Sequence, residues 1–186
     1  MRLVLFTLPV AIVLGYVLGG RLGHLAELSL RYPGAGLAGL GLQALPVSGT
    51  LGHLLLLGSF VLLLLVAAAN WRLAGFVLVV AGLWLNFVVI AVNGGMPVTA
   101  GAFVASGQTE GLDDLAAGGR HHLATPRDEL VFLADSIPVP TPVRRAMSVG
   151  DLVAYAGAMW FVVAGMGRRD EIVEPEPHLD VAEATG

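Results

Sequence analysis

The chain has 186 residues, 56% hydrophobic and 13% charged, with a mean hydropathy of +0.80. A soluble domain is about 25% charged, so most of this chain lacks a water-facing coat. A net charge of -4 and the absence of cysteine exclude a basic nucleic-acid footprint and a disulfide scaffold, and the apolar content excludes disorder.

What remains is an integral membrane protein. A spanning helix needs about 20 mainly apolar residues, because backbone polar groups in lipid must pair within the segment. The first such run is 3–20, preceded by Arg2. It exceeds the roughly 7 to 15 apolar residues of a cleavable signal peptide, and no A-x-A-like site follows, so it reads as a helix. Within it, Gly15 and Gly19 have the G-x-x-x-G spacing that lets helices approach closely. From Gly20 to Tyr32, Leu22, Leu25 and Leu28 recur among Arg21, His24, Glu27 and Arg31, the pattern of a short interfacial helix.

Residues 33–47 are apolar but carry Gly34, Gly36, Gly39 and Gly41 and close on Pro46, so they form a short span or a re-entrant segment. Three further runs are 51–69, closed by Asn70-Trp71-Arg72; 73–92, closed by Asn93-Gly94-Gly95-Met96-Pro97; and 151–167, framed by Asp151 and Arg168-Arg169. The expected fold is therefore all-α, a polytopic membrane helix bundle of about five transmembrane helices, four of full length and one short. Five spans bring the Arg21–Arg31 connector, Arg72 and Arg168-Arg169 to one side. The positive-inside rule makes that side cytoplasmic, so the plasma membrane would be crossed with the amino terminus outside and the carboxyl terminus inside.

The segment 94–150 is the one extramembrane region long enough for a site, and loops of that length are usually functional or disordered. One or two helical turns are expected over 109–117, stopped by Gly118-Gly119. Thr125-Pro126-Arg127-Asp128 predicts a second helix start, with a threonine cap, proline at the first position and an acid three residues past the cap. That helix would carry Leu130, Val131, Phe132, Leu133 and Ile137 onto the membrane or the bundle. Pro138, Pro140 and Pro142 then impose an extended path. The tail 168–186 is polar and acidic, without an expected fold.

Few residues could carry chemistry. The span interiors contain no Asp, Glu, Lys or Arg, which argues against a proton-coupled pump; a carrier for an uncharged solute around Gln43 and Asn86 is the alternative that such amides allow. Asn86 and Asn93 are seven apart and share a helix face, where interhelical hydrogen bonding is the simpler role. Asp135 and Asp151 are the two prominent acids, and a pair of carboxyls can share a proton and activate water. Ser148-x-x-Asp151 before an apolar run is also a capping box, while Asp135 would oppose the dipole at the far end of its helix. His121-His122 with Asp128 lacks metal-ligand spacing, and no metal or cofactor is expected.

The Gly19-Gly20-Arg21 to Leu30-Arg31 connector, the Leu85-Asn86 and Asn93-Gly94-Gly95-Met96-Pro97-Val98 exit, Phe132-Leu133-Ala134-Asp135 and Ser148-Val149-Gly150-Asp151 together resemble a family of uncharacterised bacterial polytopic membrane proteins, domain of unknown function 5317. The resemblance implies a polytopic membrane protein and no activity. A looser similarity links Phe132-Leu133-Ala134-Asp135-Ser136 and Asp151 to lipoprotein signal peptidases, which are membrane aspartic proteases. The asparagine of that motif is missing here, its spacing is one residue short, and Ile137-Pro138 interrupts the expected helix. The expectation is a non-enzymatic membrane protein whose outer loop contacts lipid, a membrane partner or a second copy. The alternative is a membrane-edge hydrolase using Asp135 and Asp151.

Overall fold

The computed structural model describes residues 2–47, 49–108, 115 and 120–167. The 168–186 tail and almost all of the helical stretch expected over 109–117 lie outside the described residues. The helices are α1 Arg2–Val17, α2 Leu22–Ala26, α3 Pro33–Ala44, α4 Gly49–Ala69, α5 Phe76–Asn93, α6 Ala100–Ala105 and α7 Val149–Met166. Short strands β1 Met96–Val98, β2 His121–Leu123, β3 Ile137–Val139 and β4 Arg145–Met147 accompany them. Three helices, α4, α5 and α7, are long and apolar enough to cross a membrane. The apolar part of α1 is shorter, and α3 has 12 residues, matching the short segment read from its glycines.

The bundle is assembled by close approach of small residues. Helices α5 and α7 run antiparallel, because Gly75 lies against Gly157, while Gly82 meets Gly150 and Ala154. A β-carbon on Gly157 would come within 2.6 Å of the Gly75 carbonyl oxygen, so this seam is a backbone-to-backbone contact that larger residues would prise apart. Helix α3 packs antiparallel on α4, with Gly39 against Leu63 and Gly36 against Val66.

Helix α1 meets the far end of α7, where Gly15 and Gly20 both lie on Met166. Gly19 does not join that packing face. It takes φ +82 just past the end of α1, a conformation that glycine adopts without side-chain strain. Leu25 and Leu28 pack on Gly165 of α7, so the first connector is seated on the bundle.

Three connections gather at one end. The Arg21 backbone N–H donates to the Met166 carbonyl at 2.8 Å. The Asn70 side chain accepts from the Arg31 N–H at 2.8 Å and donates to the Arg31 carbonyl at 3.0 Å. The 21–31 connector, the 70–72 turn and the end of α7 therefore share one face of the bundle. At the opposite end, the described residues of 94–148 form a cap. There β1 pairs parallel with β2, β3 pairs antiparallel with β4, and Asp135 bridges beside β1 at Val98.

Two local expectations change. No helix follows Thr125: the Asp128 carboxylate accepts from the Thr125 N–H and hydroxyl at 2.6 and 3.1 Å, closing a turn that uses the same capping residues. Leu130 then turns left-handed at φ 53, leaving one 3-10 turn, Val131–Leu133. Asp135 is accordingly in extended chain and opposes no helix dipole. The fourth span, expected over 73–92, also starts later than residue 73, at Phe76, because Gly75 at φ +81 ends the preceding turn.

Candidate functional site: a polar centre beneath the cap

Apolar packing brings the cap down onto the helix ends. Leu130 and Leu133 pack against a core of Leu56, Phe60, Val89, Ile90 and Met96. Asn93, at the last position of α5, accepts from the Glu129 N–H at 2.7 Å and donates to the Glu129 carbonyl at 2.9 Å. Gly94 reverses the chain at φ 71, Gly95 is buried, and Met96 enters the core. The Pro97 carbonyl then accepts from the Asp135 N–H at 2.9 Å. The Asn93 to Pro97 motif is thus the joint that carries α5 into the cap and fixes where Asp135 lies.

Directly below, Asn86, Ser148 and Asp151 close a ring. The Asn86 amide donates to Asp151 Oδ1 at 2.7 Å, and its oxygen accepts from the Ser148 hydroxyl at 2.8 Å. That hydroxyl in turn accepts from the Asp151 N–H at 2.9 Å, and the Ser148 backbone reaches the Asp151 carboxylate. The capping box is therefore real and is shared with a neighbouring helix. Gly150 makes the ring possible, since a β-carbon there would collide with the Asn86 side chain. The ring thus uses one N–H and the oxygen of the Asn86 amide.

Asp135 lies close to this ring and is 3% exposed. Its Oδ1 is buried with no hydrogen-bond partner, and its Oδ2 stands 3.9 Å from His121 Nε2, beyond hydrogen-bonding range. Desolvation, and after it the like charge of Asp151, push the Asp135 carboxyl up to about 8 against the pull of Arg145. Desolvation and the charges of Arg145, Arg120 and His122 bring His121 down to about 4. Both shifts favour the uncharged form, most strongly at Asp135, which is 3% exposed against 38% for the His121 side chain.

The two histidines serve different neighbours. Successive strand residues face opposite ways, so His122 pairs with Asp128 at 2.9 Å while His121 faces Asp135. Among the described residues no three His, Cys, Asp or Glu side chains are grouped to hold a metal. Arg120 donates to the Leu42 and Gln43 carbonyls at the end of α3, tying the cap to that helix as well. Sequence reasoning did not anticipate His121, Arg145 or Thr99 as neighbours of Asp135. Their approach depends on pairing between three-residue strands distant in sequence, and strands so short carry no periodic signal.

Comparison with known proteins gives one match. The model of a family of unknown function (DUF5317) matches residues 37–163, from within α3 to within α7, so the early connector lies outside it. No curated protein matches, and no solved structure does.

Proposed function

The chain belongs to the DUF5317 family of unknown function, and on that footing we propose that it is a multi-pass plasma-membrane protein without catalytic activity, whose cap dips an apolar edge into the outer leaflet. The observation that carries this reading is Phe132, 70% exposed, on a 3-10 turn whose neighbours Leu130 and Leu133 pack beside Val89 and Ile90. Those two residues lie about one helical turn inside the end of α5, at a depth where lipid would surround the helix. Val131 is exposed beside Phe132, so the edge is continuous. Arg21, Arg31 and Arg72 in the short connectors at the opposite end support a cytoplasmic assignment for that end, which puts the cap outside.

Because the chain has no cysteine, single cysteines report cleanly. A solvatochromic label at Phe132→Cys in vesicles is expected to be quenched by brominated lipid, while one at the exposed Arg127→Cys is not. Equal, water-like emission from both would refute lipid contact.

The coupling between Asp135 and Asp151 favours a second reading, a membrane-edge aspartyl hydrolase. Against it, Asp135 is 3% exposed and one oxygen of Asp151 is already committed to Asn86. A hydrolase would lose its cellular function on either Asp→Asn change at normal protein levels; the capped bundle would lose stability instead.

A further inference from the structure

The polar centre contains one atom that the fold leaves without a partner. Asp135 Oδ1 is buried and accepts from nothing, although its own backbone is fully used: the N–H donates to Pro97, and the carbonyl accepts from the Thr99 N–H at 3.1 Å. A carboxylate is an acceptor only. An ionised Asp135 would therefore hold an unsolvated charge beside a second carboxyl group, which costs several kcal/mol per ion in a protein interior. The surroundings do not supply the missing donor. From β2 comes His121, 3.9 Å from the other oxygen. From β4 comes Arg145, exposed and acting only through its charge. From α7 come Asp151, of the same sign and holding one N–H of Asn86, and Tyr155, whose hydroxyl feels the charges of Asp151 and Arg145. A proton on Asp135 removes the buried charge and converts the carboxyl into a donor.

We propose that Asp135 and Asp151 form a binding site for one exchangeable proton, held in the seam between the cap and the helix bundle. The reaction is the association of a proton from water with one Asp135 oxygen, and its return to water on release. His121 stands on the water side of the site, with 38% of its side chain exposed, and marks the route. The proton goes no further. Among the described residues of α3, α4 and α5 the one ionisable side chain is His53, in the second turn of α4 and beside Gly94 at the cap end, and α7 carries only Asp151 and Tyr155, in its first two turns. The site therefore exchanges with the cap side alone and is a binding site, not a conduit. Loss of the proton places two like charges at the contact that seats the cap, so occupancy reports the pH on the cap side to the bundle. This inference stands apart from the lipid contact of Phe132 and from any hydrolytic role.

The test is an infrared titration of the full chain in liposomes, reading the carbonyl band of a protonated carboxylic acid, identified by its shift in heavy water. The wild-type protein should show that band at neutral pH and lose it on alkalinisation. Asp135→Asn should abolish it. Asp151→Asn removes the like charge and should lower the midpoint, whereas Arg145→Gln removes the opposing charge and should raise it, each by about tenfold in proton affinity. These two opposed shifts keep the test decisive if Asp135→Asn does not fold. Absence of the band at neutral pH, its survival in Asp135→Asn, or a midpoint indifferent to both other changes would overturn the proposal. So would a midpoint displaced by sodium at constant ionic strength, which would make the ligand a metal cation.

Discussion

Substituting Gly150→Ala tests the α5–α7 seam and the polar ring with a single methyl group. The added carbon would lie 2.7 Å from Asn86 Cγ and 2.8 Å from the Gly82 carbonyl oxygen, distances that real β-carbons do not tolerate. Relief requires the helices to separate or Asn86 to swing away. Overpacking of a tight contact costs typically about 1–3 kcal/mol, and displacing Asn86 breaks its bonds to Ser148 and Asp151, worth on average about 0.6 kcal/mol each within a membrane protein. The expected loss is about 2–4 kcal/mol. The control is Gly58→Ala in α4, where a β-carbon meets nothing within 4 Å; there the better helix propensity of alanine should leave stability unchanged or raise it by up to about 1 kcal/mol. Reversible unfolding in mixed micelles, or steric trapping in bicelles, measures both. If Gly150→Ala unfolds within about 0.5 kcal/mol of the wild type, the seam is not the close contact described and the argument fails.

Asn70→Ala removes the bonds to both backbone groups of Arg31 and to the Val66 carbonyl; a loss of about 1–3 kcal/mol is expected, together with new protease cleavage between α2 and α3. Asn93→Ala frees Glu129, so the 125–130 turn should exchange amide hydrogens faster while α4 and α5 remain protected. The pH dependence of stability has a definite sign. Asp135 is raised from 3.8 to about 8, so the unfolded chain releases this proton first and stability falls as pH rises between those values. His121 is lowered from 6.5 to about 4, so it opposes that slope below 6.5 and leaves it unopposed above. Unfolding measured against pH should therefore show a plateau on the acid side and a decline between 6.5 and about 8, which Asp135→Asn removes.

Much of the architecture is legible in the amino-acid sequence because lipid imposes one rule on every span. Helices α4, α5 and α7 follow their apolar runs to within a few residues; α3 is short, as its glycines suggest, and α1, expected at full length, is also shorter. The common placement of the arginine-bearing connectors was also available from charge alone. The cap resisted such reading for a different reason. Thr125 and Asp128 are good capping residues, and a turn satisfies the same donors and acceptors as a helix start, so composition could not separate the two outcomes. Asp135 was recognisable as an acid without a local excuse, but the groups that shape it, His121, Arg145 and Asp151, arrive from three elements remote in sequence. Short strands have no period, and a buried atom without a partner has no sequence signature at all.

The seam between α5 and α7 has a consequence for how this protein can be built and rebuilt. The chain leaves α5 at Asn93 and, after the whole cap, re-enters at the start of α7, about two helical turns further down α5, where Gly150 meets Gly82 and Asn86. In connectivity the cap is the loop of a helical hairpin, however large it has grown. Loops of very different length can close the same hairpin, because the entropy of closure rises only slowly with the number of residues. A short linker would close the same hairpin, but it would uncover the Leu56, Phe60, Val89 and Ile90 surface on which Leu130 and Leu133 sit, so this loop has become part of the core it connects.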